Sequence, residues 1–168
     1  AAKKAPGTVR ASTTGILSDD HLAILMFEEA TGTTVRIVHL DGGATQMKET
    51  LAGNIDVSFD NVGSIVKQVK GGQVRALAVM DTQRSKYLPD VPTTKEVGAE
   101  IILSNSSRGI AAPKGTPPAV VKKLEETFKK AMDDPEHIKK LEDAGLGLKV
   151  MFGDEYGKYY KVLHAKAI

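Results

Sequence analysis

Short β-rich runs alternate with amphipathic helical runs from Val9 to Val79, and this alternation constrains the fold more than any other feature of the chain. Strands are expected at Val9–Ser12, Thr34–His39, Asp56–Asp60 and Val74–Val79. Helices are expected between them, from about Asp19 to Ala30, Ala44 to Leu51 and Gly63 to Lys70. Strands this short, joined by single helices, imply an α/β fold with a mainly parallel, doubly wound sheet and right-handed crossovers. Ser18 reads as the N-cap of the first helix and Gly32 as its left-handed stop, with Gly53 and Gly71-Gly72 closing the next two helices. Leu22, Leu25, Met26 and Ala30 form the stripe expected to face the sheet, with Glu28 and Glu29 outside it.

Beyond Met80 the periodicity stops, and DTQRSKYLPDVPTT reads as a polar loop. An apolar run follows, Ile101–Leu103 and Gly109–Ala112, interrupted by SNSSR. The stretch PKGTPP then marks a boundary between an α/β part, residues 1–112, and a helical part, residues 113–168. The second part is expected to hold helices at Ala119–Met132 and Pro135–Ala144, a short strand near Leu148–Met151 and a last helix near Asp154–Ala165. Its charge run suits the solvated face of packed helices, with i,i+4 pairs such as Glu125–Lys129.

Composition removes whole classes of function. With no cysteine in 168 residues, neither a disulfide scaffold nor a thiolate-bound zinc or iron–sulfur site can form. The formal net charge is +2 and is spread over both parts, so neither is a basic nucleic-acid surface. No window approaches the ~20 apolar residues of a membrane span, and AAKKAPGT lacks the apolar core of a signal peptide. A processed export signal would leave the same sequence. His21, His39, His137 and His164 show no metal-ligand spacing, and surface or capping roles are their default. No nucleophile elbow, phosphate loop or dinucleotide fingerprint is present, so no catalytic residue and no cofactor is indicated.

In an open parallel sheet, ligands bind beyond the carboxyl ends of the strands. There the first strand is followed by Ser12-Thr13-Thr14-Gly15 and the second by Asp41-Gly42-Gly43-Ala44-Thr45, each opening a helix. Glycines permit close backbone approach, and N–H groups at a helix start hold carboxylate or phosphate oxygens. Side by side, the two turns would cradle an anion; equally, both suit plain N-caps and tight turns. Asp60-Asn61, after the third strand, can accept from a ligand amine or hydroxyl or can cap the next helix. Arg108, preceded by Ser107 and set among apolar strand residues, needs a carboxylate, either a ligand's or an internal one such as that of Asp60.

Together these segments resemble a known family. STTGILSDDHLA, DGGATQMKETLAGNIDVSFDN, GGQVRALAV, RSKYLPDVPTTKEVG and RGIAAPKGTPPAVVKKLEETFKKAMDDPE resemble, in register, the solute-binding proteins of tripartite tricarboxylate transporters, also called Bug proteins. LPDVPT and the Gly-x-Ala-Pro-x-Gly-Thr-Pro run are the most specific of them. The resemblance implies a periplasmic, non-catalytic, periplasmic-binding-protein-like (type II-like) receptor. Its two α/β lobes close on a small organic di- or tricarboxylate and deliver it to a membrane permease. Mature members are about 300 residues long, so the chain resembles the C-terminal part of one, roughly 55–60%. Residues 1–112 would be the second lobe, and 113–168 the helices that return to the first. The ligand-binding residues implied are Ser12, Thr13 and Thr14 in the first turn, Gly43 and Ala44 in the second, and Asp60 after the third strand. Ser107 and Arg108 fall in the Arg-Gly variant of the family, and Asp41 stands where a lysine is frequent. No nucleic-acid partner is implied, whereas exposed apolar helix faces in residues 119–165 favour self-association. The effector domain of a transcriptional regulator shares this fold logic and is the alternative, although no helix-turn-helix is visible; a stand-alone enzyme lacks any acid–base or nucleophile constellation.

Overall fold

The computed structural model describes residues 1–99, 104 and 106–166. The chain divides into two units, Ala1–Ser106 and Ser107–Ile168. In the first unit the order is β1 (Arg10–Thr13), α1 (Asp19–Thr31), β2 (Arg36–His39), α2 (Gly42–Leu51), β3 (Val57–Ser58) and α3 (Val62–Lys70). The three strands form one parallel sheet in the order β2-β1-β3. Arg10 pairs with Arg36 through to Thr13 with His39, and Ala11 pairs with Val57.

Local chemistry sets the helix ends, which fall within two residues of the sequence expectation. Ser18 has extended backbone, and its Oγ accepts the His21 N–H at 3.2 Å. Gly32 takes φ 60° and donates its N–H to the Glu28 carbonyl, a conformation that costs a side-chain-bearing residue more than it costs glycine. Ser18→Ala is expected to destabilise the fold by about 1 kcal/mol, read as a lower thermal midpoint. An unchanged midpoint would show that the cap contributes nothing.

The core joins Ala11, Ile24 and Val35 to Val9, Ile37, Val57 and Phe59. On α1 the buried residues are Asp20, Ala23 and Ile24, while Leu25 is 42% exposed, so the stripe expected at Leu22, Leu25, Met26 and Ala30 is displaced. From Leu22 to Phe27 every residue is apolar, and several stripes fit the pattern equally. The small Ala23 lies on the face that approaches the sheet, and Phe27 meets Phe59 edge to face at 5.7 Å.

Two expected strands do not form. Val74–Val79 makes only an isolated parallel bridge, Val79 to Thr93. Its apolar alternation suits a strand, but a strand exists only where a neighbour supplies the ladder, and β3 is just two residues long. Leu148–Met151 is likewise irregular. The Ile101–Leu103 run lies outside the described residues.

The second unit consists of α4 (Pro118–Met132), α5 (Pro135–Asp143) and α6 (Gly153–Lys166). Asp134 caps α5 by accepting the His137 N–H at 2.9 Å. Lys129 pairs with Asp133 at 3.0 Å rather than with Glu125, because Asp133 is held at the C-cap one turn on. Neither α4 nor α5 has a fully buried residue. No helix among the described residues is long and apolar enough to cross a membrane.

Candidate functional site at the strand carboxyl ends

The strand order reverses beside β1: α1 carries the chain to β2 on one flank, and α2 brings it back to β3 on the other. In sheets wound this way the ligand crevice opens at the carboxyl ends of the strands flanking the reversal. The residues at those ends are Thr13, which closes β1, and Thr14 after it, Asp60 after β3, and the turn into α2.

The β1–α1 turn is held from within. Thr13 is fully buried, with its Oγ1 2.8 Å from His39 Nδ1 and accepting the Gly15 N–H at 3.2 Å. Thr14 donates both its N–H (3.3 Å) and its Oγ1–H (2.8 Å) to Asp20 Oδ2. The Leu17 N–H goes to His21 Nδ1 at 3.0 Å. Ser12 is fully buried, and its Oγ has no partner among the described residues. The Thr14, Gly15 and Leu17 donors are thus engaged inside the turn.

The β2–α2 turn differs. Asp41 occupies the N-cap position of α2 without a side-chain capping hydrogen bond, and Gly43 and Ala44 behind it are exposed. A Cβ added at Gly43 would lie 4.0 Å from the Thr14 methyl, so the two turns are neighbours. The first turn of α2 therefore presents uncapped N–H groups and the positive end of the helix dipole beside Thr14.

After β3, Asp60 accepts the Asn61 N–H at 3.0 Å. Asn61 stands at the N-cap of α3, yet its side chain does not cap: Nδ2 donates to Asp19 Oδ2 at 2.9 Å. This tie draws the first turn of α1 toward β3 and gathers Asp19, Asp20 and Asp60. Burial, and then the charge of Asp20, push the Asp60 carboxyl up to about 6. Burial also raises Asp20, with the Thr14 hydroxyl pulling the other way.

Gln46 escaped the sequence reading. It is fully buried on α2, and its Nε2 donates to the carbonyls of Ser12 (3.2 Å) and Phe59 (2.8 Å), tying the end of β1 to the end of β3. In GGATQMKETL a glutamine reads as a solvated side chain, yet Gln46 is inside while Leu51 on the same helix is 47% exposed. His39 is exposed, as expected of a surface histidine, while His21 is half-buried, and their rings meet edge to face at 4.8 Å beside Thr13.

Ser107 and Arg108 belong to the second unit. Arg108 is exposed in an irregular segment rather than set in an apolar strand, and its Nη1 donates to the Ser107 carbonyl at 3.4 Å. Among the described residues no group of three or more His, Asp or Glu is placed to hold a metal ion.

Residues 1–165 match the model of the tripartite tricarboxylate transporter family receptor. The chain belongs to that family. Tripartite tricarboxylate transporter receptors bind solutes and are not enzymes. Among the chain's relatives, a protein from the TAR-I ttuE-ttuC' intergenic region of Agrobacterium vitis is 32% identical over 143 residues, covering 85% of this chain and 41% of its own length. A TctC solute-binding protein from Polaromonas superposes with a TM-score of 0.79 at 29% identity, over 99% of this chain and 57% of that one. MatC from Rhodopseudomonas palustris with bound malate shares the fold at 22% identity and a TM-score of 0.69, over 83% and 47% of the two chains. The chain spans about half the length of the curated relatives it matches.

Proposed function

We propose that residues 1–112 form one lobe of a periplasmic receptor for a small organic di- or tricarboxylate, which it hands to the permease subunits of a tripartite transporter, with residues 113–168 belonging to the other lobe. The observation that carries this reading is the uncapped, glycine-opened N-terminus of α2 next to Thr14. Backbone N–H groups at Gly43 and Ala44 would hold one carboxylate of the ligand. Thr14 lines the same opening, while buried Ser12 and Thr13 shape the turn behind it. Asp60, just after β3, is suited to accept from a ligand hydroxyl. The exposed guanidinium of Arg108 is chemically suited to a second carboxylate. The malate-bound relative, a hydroxydicarboxylate complex, supports this ligand class.

Calorimetry of the full-length protein against malate and other di- and tricarboxylates is the test. Binding is expected with a Kd on the order of micromolar. Gly43→Val, which fills the space toward Thr14, is expected to remove the heat and keep the thermal midpoint, and Arg108→Ala reports on the second contact. No heat with any of these acids would end the proposal.

A further inference from the structure

We propose that His21 is the positioning residue of the β1–α1 loop: its unprotonated Nδ1 holds the Leu17 N–H and, together with the Asp20 carboxylate that takes both Thr14 donors, keeps Thr14 against the N-terminus of α2, and protonation of that nitrogen releases the loop. Leu17 sits at φ 57°, the one described residue other than glycine with positive φ. A leucine takes that conformation only where its surroundings impose it. Its side chain supplies no such constraint, being 67% exposed beside an Ile16 that is 74% exposed. The constraint is the backbone hydrogen bond to His21 Nδ1 at 3.0 Å. His21 is itself fixed by its own N–H on Ser18 Oγ and by the ring of His39.

A ring nitrogen can accept that hydrogen bond only while it carries no proton. The neutral ring must therefore hold its proton on Nε2, and an imidazolium would turn an N–H toward the Leu17 N–H. The ionisable groups that His21 senses are His39, from the end of β2, and Glu28, on its own helix; the loop Thr14–Ser18 has none. Burial and then His39 hold His21 below the ordinary imidazole range, so the tether is intact at neutral pH and is lost on acidification.

The inference rests on the carboxylate reading for its effect on binding, but the tether can be read without a ligand. In the full-length protein free of ligand, heteronuclear NMR from about pH 4.5 to about 8 follows the His21 ring nitrogens and the Leu17 amide. The expected result is a neutral Nε2–H ring, with the Leu17 amide shifting along the same titration curve. A neutral ring protonated on Nδ1, or a Leu17 amide that stays still while His21 titrates, overturns the proposal.

The second arm is malate calorimetry across the same range. His21→Asn places a non-titrating oxygen near the position of Nδ1, and His21→Ala removes the acceptor. Wild-type affinity should fall by up to about tenfold per pH unit below the His21 titration, relative to His21→Asn. The titration of Asp60 is common to both proteins and cancels in that ratio. His21→Ala should bind weakly at every pH, with His21→Asn restoring binding at neutral pH. Equal pH profiles for wild type and His21→Asn overturn the positioning role. Absence of malate heat throughout, with the Leu17 amide still following His21, supports the tether and counts against the carboxylate reading alone.

Discussion

Gln46→Leu is expected to destabilise the first unit by about 3 kcal/mol, although leucine nearly matches glutamine in volume and is the more apolar residue. The reason is an asymmetry of buried hydrogen bonds. Removing Nε2 strands the carbonyls of Ser12 and Phe59, both of which it satisfies in wild type, and an orphaned buried acceptor costs about 1–3 kcal/mol. For a unit of this size the thermal midpoint should drop by roughly 12–24 °C. Gln46→Glu should be worse near neutral pH, since an ionised carboxylate cannot donate to either carbonyl. The damage reaches the site because Thr13 and Asp60 follow directly on the two tied residues. A leucine variant melting within about a degree of wild type would show that the amide does not hold the strand ends together.

Asp60→Asn is expected to stabilise the protein at pH 7.5, by about 1–2 kcal/mol once the solvent-exposed part of the carboxyl is allowed for. In the fold Asp60 has its pKa raised to about 6 from the ordinary aspartate value of 3.8. A raised value means the native state favours the proton. That contribution is fully present below about pH 4 and is lost as the pH rises through about 6. Relative to Asp60→Asn, the wild-type midpoint should therefore climb as the pH is lowered from about 7 to about 5, the contributions of His21 and Asp20 being present in both proteins. Carboxylates with lowered values act at more acid pH: Asp56 beside Arg10, and Glu96, which Arg84 holds at about 2. Their loss lies below this window. Parallel melting curves for the two proteins between pH 5 and 7 would refute the strain assigned to Asp60. A group that lowers stability at neutral pH is a reasonable price for a binding site.

Of the two sites, one was legible in the sequence and the other was not. Asp60 follows a strand at its carboxyl end, a position that alone marks it as a candidate. Its raised pKa could not be foreseen, because it arises from burial in the folded unit and then from the charge of Asp20, forty residues away, which α1 buries alongside it. Gln46 could not be picked out at all. The β1–α1 turn was recognisable by its hydroxyls, yet its donors proved to be engaged by Asp20, Thr13 and His21, leaving the uncapped start of α2 as the place open to an anion.

What the sequence by itself determined is local: helix boundaries follow from Ser18, Gly32, Asp134 and the prolines opening α4 and α5, whose effects act within one turn of backbone. It also determined the parallel winding of the first unit, because strands this short joined by single helices have few other arrangements. Tertiary structure alone decided which face of α1 is buried, whether Val74–Val79 joins a sheet, that Gln46 lies inside, and how Asp60 titrates. Each of these depends on a partner distant in sequence, whether a ladder strand, a packed face, a buried carbonyl or a second carboxylate, and no pattern within the segment itself encodes where that partner will be.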